Sequence, residues 1–141
     1  MHGNGRTSGA TAPPTRDTHV MDADHATLDL VVEEQDLSVG RHLRHRIEAE
    51  FGCLGEARAD AALVISELFT NAMLHGELPV RVRADAFEGG VTLSIEDAGS
   101  RFGGPAPDSH GLVLVDALAR DWGVRTTATG KVVWADIAAR G

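Results

Sequence analysis

The stretch from Ala57 to His75 contains neither glycine nor proline, is rich in good helix formers, and runs into Gly76. A helix follows from this, closed by Gly76 in the left-handed turn that glycine tolerates best. What restricts the chain is where the polar side chains of that helix fall. At 100° per residue, Asn71 lies about 40° from Glu67, with Leu63 and Leu74 to one side and Ala61, Val64, Leu68 and Ala72 to the other. A carboxylate and a carboxamide therefore sit inside an apolar arc. Burial without partners costs roughly 2–7 kcal/mol for a neutral amide and far more for an ionised carboxylate, so the fold must satisfy both. A ligand is one candidate.

The flanking segments supply a sheet and further helices. Leu28 to Val32 is a short apolar stretch suited to a first strand. Ser38 or Asp36 can cap a helix in which Val39, Leu43, Ile47 and Phe51 recur every four residues. Its other faces carry Arg41, His42, Arg44, His45 and Arg46, a basic patch in an acidic protein. After Pro79, Val80, Val82, Ala84 and Ala86 alternate with Arg81, Arg83, Asp85 and Phe87. Glu88-Gly89-Gly90 then turns the chain into a partner strand from Val91 to Asp97. Val91, Leu93 and Ile95 share a face, and parity places Asp97 on that same buried face where the strand runs out. Ala98 to Ser109, with Gly99, Gly103, Gly104, Pro105 and Pro107, reads as a mobile lid. Helical spacing resumes over Gly111–Ala119, and two strands around Ala128-Thr129-Gly130 close the chain. There is no internal repeat.

Composition narrows the class. Residues 1–26 are rich in Gly, Thr, Pro, Asp and His and poor in large apolar side chains, so a disordered tail is expected there, followed by one domain over 27–141. Met21 offers a second start site. With 13 Lys and Arg against 21 Asp and Glu, a net charge of −8 argues against a phosphate-tracking nucleic-acid surface. Cys53 is the only cysteine, which leaves no internal disulfide or cysteine metal knuckle, and no apolar run approaches a membrane span. A cytoplasmic protein is expected.

Three features converge on one chemistry. They are Glu67 and Asn71 one turn apart, an inward Asp97 followed by Ala-Gly, and a glycine-containing loop that feeds a helix N-terminus. Each has a plainer reading: Glu67 could pair with an Arg, Asp97 could be a turn residue, and Gly111 a simple cap. Together they fit a nucleotide site. Free backbone N–H groups and the positive dipole end of a helix suit phosphate. The amide oxygen of Asn71 is a hard ligand for Mg²⁺, and Glu67 can polarise a nucleophile attacking the γ-phosphate. Asp97 can accept a hydrogen bond from an exocyclic amine such as that of adenine, and Gly99 gives the base room against backbone.

The segments Glu67-Leu68-x-x-Asn71-Ala72-x-x-His75-Gly76, Asp97-Ala98-Gly99, Gly111-Leu112-x-Leu114-Val115 and Gly130-Lys131-Val132-Val133-Trp134 follow one another in this order. In this they resemble the four nucleotide-binding boxes of the histidine-kinase-like (gyrase-type, Bergerat-fold) ATPases, most closely the anti-sigma factor/serine protein kinase branch. The similarity spans about Asp36 to Ile137. It implies an α/β, or α+β, two-layer sandwich with a mixed sheet, helices on one face, and ATP held under the lid. It also implies Glu67 as catalytic base, Asn71 as the Mg²⁺ ligand, and Asp97 with Gly99 as the adenine pocket. The lid and the helix start, with Arg101, His110, Gly111 and Leu112, would cradle phosphates. Proteins of that branch phosphorylate a serine on an antagonist protein and sequester a sigma factor, and Arg41 stands where an arginine serves protein contacts. A homodimer is compatible with the resemblance; direct nucleic-acid or membrane partners are not expected.

Two departures stand out. The lid commonly ends in Gly-x-Gly, where this chain has Ser109-His110-Gly111, and a Thr common in the last box is read here as Val132. They favour, as an alternative to an active serine/threonine kinase, a catalytically weak module that binds ATP and sequesters a partner. A detached catalytic domain of a sensor histidine kinase fits less well, given the short lid and the lack of a phospho-acceptor helix pair. There is no Gly-x4-Gly-Lys-Ser/Thr phosphate loop and no His-Arg-Asp catalytic loop. His42 and His45 are expected on a solvated or partner-facing surface rather than in a metal site, His75 as a half-buried, satisfied histidine, and Lys131, which could touch phosphate, as a turn lysine in water.

Overall fold

A computed structural model of the chain describes residues 26–99 and 110–141. The expected disordered tail therefore falls outside the described residues, apart from Ala26, and so does the lid from Ser100 onward, with Arg101 and Ser109.

Five strands form one sheet in the order β1-β2-β3-β5-β4, where β1 is Thr27–Val32, β2 Val80–Phe87, β3 Gly90–Asp97, β4 Asp121–Thr127 and β5 Gly130–Ala138. Every neighbouring pair is antiparallel. This corrects the expected mixed sheet: β5 folds back into the gap between β3 and β4, so β3 and β4 point the same way without touching. The β2–β3 hairpin turns at Glu88-Gly89, and Gly89 carries φ +98°, a backbone state that favours glycine.

Alternation along the strands builds the core. Val80, Val82, Ala84 and Ala86 on β2 and Val91, Leu93 and Ile95 on β3 are all at most 1% exposed. Across this face lies α2, Arg58–His75, the expected central helix within one residue of its predicted start. It contacts β2, β3 and β5 on one side, α1 (Ser38–Glu50) on another, and α3 (His110–Leu118) on a third. A helix enclosed this way cannot be apolar on a single stripe, which explains why Ala61, Ala62, Val64, Ile65, Leu68 and Phe69 are buried around most of its circumference.

Leu43 and Ile47 on α1 and Phe51 just past its end are fully buried, as their spacing requires, and Val39 is partly buried. The Asp36 carboxylate accepts the Ser38 N–H at 3.0 Å and the Ser38 hydroxyl at 2.6 Å, satisfying one free donor of the first turn. Arg140 fastens the C-terminus beneath the start of α2. Its carbonyl accepts the Glu56 N–H at 2.7 Å and its guanidinium pairs with Asp60 at 2.7 Å.

Gly76 closes α2, but not as expected. Its φ of −102° and ψ of −163° are extended rather than left-handed. The reason for a glycine here is contact, described next.

Candidate functional site

Asp97 is the last residue of β3, paired across the sheet with Val80 on β2 and Lys131 on β5. Its parity with Val91, Leu93 and Ile95 turns the side chain toward α2, and it is 3% exposed. One carboxylate oxygen, Oδ1, accepts the Gly99 N–H at 2.7 Å, with the Glu77 N–H at a longer 3.4 Å. The other, Oδ2, lies 3.0 Å from Lys131 Nζ. Asp97 is thus a held carboxylate rather than a turn residue.

Three glycines make room for it. A Cβ on Gly76 would stand 2.5 Å from Asp97 Cγ, one on Gly99 2.9 Å from Asp97 Oδ1, and one on Gly130 1.8 Å from the Asp97 carbonyl oxygen. None of the three has a positive φ. Close approach, not backbone freedom, selects glycine at all three positions, and the glycines that punctuate three separate stretches of sequence meet around a single residue.

Above Asp97 is a cavity walled by Leu68, Asn71 and His75 of α2, Asp97 of β3, and Lys131 and Val133 of β5. With Lys131 in its present position the cavity amounts to about 10 Å³, room for a single water and far below the ~300 Å³ of a nucleotide-sized pocket. Asn71 therefore shares a wall with Asp97, as the sequence reading requires. Glu67 lies one turn before Asn71, about 6 Å further along the helix axis. No described residue forms a hydrogen bond or ion pair with Glu67, so the Arg-paired reading finds no support among the described residues.

Several expectations need correction. Glu67 and Asn71 are half-buried rather than enclosed, so the desolvation argument that singled them out applies with more force to Asp97. His75 is exposed at the cavity rim, not a half-buried core histidine. Lys131 is no turn lysine in water: it is 5% exposed and belongs to the site. Val132 faces the opposite side of the sheet from Lys131 and Val133, so it is Lys131, not Val132, that lines the cavity beside Asp97. The sequence reading preferred Lys131 in solvent, although the parity that turns Val133 inward turns Lys131 inward as well.

The phosphate side is only partly described. Helix α3 begins at His110, one residue before the expected start, so its first-turn N–H groups lead out of the lid segment and its body packs against α2. Leu112 is half-buried. Arg41, His42, His45 and Cys53 are exposed. The Asn71 carboxamide oxygen at the cavity is a hard ligand of the kind Mg²⁺ accepts while keeping most of its shell for water and phosphate. It fits that ion.

A five-stranded antiparallel sheet covered by helices on one face, with a carboxylate at the end of its third strand facing an Asn on the covering helix, makes an α/β sandwich. A family model described as the histidine kinase-like ATPase domain matches residues 30–137, and the chain belongs to that family. A search of curated proteins finds no match. Among the described residues no helix is long and apolar enough to cross a membrane.

Proposed function

We propose that this protein binds ATP with Mg²⁺ and acts in the cytoplasm as an anti-sigma-type serine/threonine protein kinase. It would phosphorylate an anti-sigma factor antagonist and regulate transcription through protein partners. The observation that carries the reading is the shared wall of Asn71 and Asp97, with Glu67 one turn along the same helix. Asp97 would accept from the base, and Asn71 would hold Mg²⁺, which would supply charge neutralisation at the phosphates. Glu67 takes the proton of the attacking serine hydroxyl. A serine O–P bond forms at the γ-phosphorus as the bond to the β-γ bridging oxygen breaks, and ADP leaves. The contribution of the protein is positioning and charge complementarity. Arg41, exposed on α1 within a basic patch, is the proposed contact for a protein partner.

A second reading rests on the Lys131–Asp97 pair, which narrows the base pocket: a nucleotide-dependent module that sequesters its partner and transfers phosphate poorly or not at all. One experiment separates the two. The chain is incubated with labelled ATP, Mg²⁺ and the candidate antagonist from its own genome, beside Glu67→Ala. Label on a serine that disappears in Glu67→Ala supports the kinase, whereas ATP binding without transfer supports the sequestering module.

A further inference from the structure

Lys131 is the only lysine in the chain, and it is buried beside the carboxylate that the nucleotide reading assigns to the base. An ammonium has three N–H donors. One points to Asp97 Oδ2 at 3.0 Å, and no other partner of Nζ is found among the described residues. Leu68, Ile95 and Val133 of the neighbouring wall are apolar and offer none, and of the polar side chains that line the cavity with Asp97, neither Asn71 nor His75 forms a hydrogen bond with it. A buried charged donor with unused hydrogens is costly unless something else accepts them. The surface it faces is the cavity.

The geometry points to Lys131 as a specificity-determining residue that donates to the ring acceptor of the bound base, next to the exocyclic group read by Asp97. This deepens the nucleotide reading above and rests on it. An acceptor and a donor side by side, 3.0 Å apart, complement adjoining donor and acceptor atoms on one edge of a purine. On adenine these are the N6 amine, donating to Asp97, and N1, accepting from Lys131. The lysine can yield part of the room that the base needs. Its stem is long and flexible, so rotation opens the cavity while the ammonium stays within reach of Asp97. The carboxylate keeps its counter-charge throughout, and the base gains one charged hydrogen bond.

The test uses the full chain and two probes, ATP and 1-deaza-ATP, in which N1 is replaced by C–H. A hydrogen bond to a charged group is worth about 10- to 100-fold in affinity. On the unaltered chain, calorimetry is expected to give 1-deaza-ATP at least about tenfold weaker than ATP. In Lys131→Met, ATP is expected to weaken by a similar factor and to bind no better than 1-deaza-ATP. Lys131→Gln, which keeps a neutral donor, is expected to retain part of the N1 dependence and serves if the methionine variant does not fold. Selective ¹⁵N-lysine labelling gives a direct readout as well, since one side-chain signal reports Lys131, and ATP should shift it more than 1-deaza-ATP does.

Equal binding of ATP and 1-deaza-ATP by the unaltered chain overturns the assignment, and so does tighter ATP binding by Lys131→Met, which would make the lysine a plug. If the unaltered chain binds neither ATP nor 1-deaza-ATP, the nucleotide reading itself fails, a result distinct from nucleotide binding without N1 dependence.

Discussion

Replacing Gly76 by alanine tests why the site is ringed by glycines. The backbone there, φ −102° and ψ −163°, suits alanine, and on conformational grounds alone the change should stabilise the fold by about 0.4–1 kcal/mol through the unfolded chain. Contact opposes this. The new methyl would lie 2.5 Å from Asp97 Cγ, 2.7 Å from Asp97 Oδ2 and 2.8 Å from the Ala72 carbonyl oxygen. Neither neighbour yields easily. The Ala72 carbonyl belongs to the last turn of α2 and already accepts the Gly76 N–H at 2.8 Å, while Asp97 is held by Gly99 and Lys131. Overpacking of this kind costs about 1–3 kcal/mol, which outweighs the entropic gain and leaves a net loss of about 1–2 kcal/mol. For a domain of this size that is a fall in Tm of about 4–10 °C. Thermal unfolding followed by circular dichroism measures it, with Gly52→Ala as the matched control. Gly52 has no positive φ and no atom within 4 Å of its built Cβ, so the same chemical change there should be neutral or slightly stabilising. A Gly76→Ala chain as stable as its parent, with nucleotide affinity intact, would refute the claim that glycine is chosen here for close approach to Asp97.

Other outcomes follow from the same contacts. Asp97→Asn and Lys131→Met each strand a buried charge and should each destabilise by about 3–5 kcal/mol, whereas the double substitution should cost clearly less than their sum; additive losses in denaturant unfolding would deny that the two side chains act as a pair. Asn71→Ala should lower Mg·ATP affinity more than it lowers the Tm of the ligand-free chain, and unchanged affinity in calorimetry would remove Asn71 from the site. Asp29 is held below the ordinary carboxylate value, chiefly by its hydrogen bonds from Arg81 at 2.7 and 3.0 Å, and further by the Arg81 and Arg83 charges. A depressed folded-state pKa stabilises above the unfolded value of 3.8 and loses that stabilisation as pH falls through the lower folded value. With both partners half in solvent the effect is about 0.2–1 kcal/mol, so Asp29→Asn should lower Tm slightly at pH 7 and not at all near pH 2.

How much of this was legible in the sequence depended on the range of the physics involved. The span of α2 and the inward turn of Asp97 are local: absence of glycine and proline fixes the first, strand parity the second. A helical wheel gives the azimuth of Glu67 and Asn71 but not how far neighbouring elements extend over them, which is why both were expected deeper than they lie. Residue type marked Gly76, Gly99 and Gly130 without distinguishing a need for unusual φ from a need for space. That distinction requires knowing that Asp97 approaches all three. The order of strands is equally non-local, and the insertion of β5 between β3 and β4, which makes the sheet wholly antiparallel, has no signature in either strand alone. Lys131 was misplaced because a lysine after a turn glycine is usually solvated, although its parity with Val133 already pointed inward.

The pairing of Lys131 with Asp97 also bears on how the site can exist without its ligand. A carboxylate 3% exposed needs a counter-charge at all times, because losing it costs several kcal/mol out of a typical stability of 5–15. A base can replace a hydrogen bond to Asp97 but brings no positive charge, so a ligand that expelled Lys131 would leave the charge uncompensated. Binding is therefore favourable only if the ammonium remains beside the carboxylate and rearranges rather than leaves. Glu67, half-buried on the helix above, faces no such constraint, whereas the side-chain nitrogen of Asn71 is itself buried. The fixed charge pair is thus confined to the Asp97 end of the cavity, and the half-buried Glu67 one turn from Asn71 carries no comparable demand for a counter-charge.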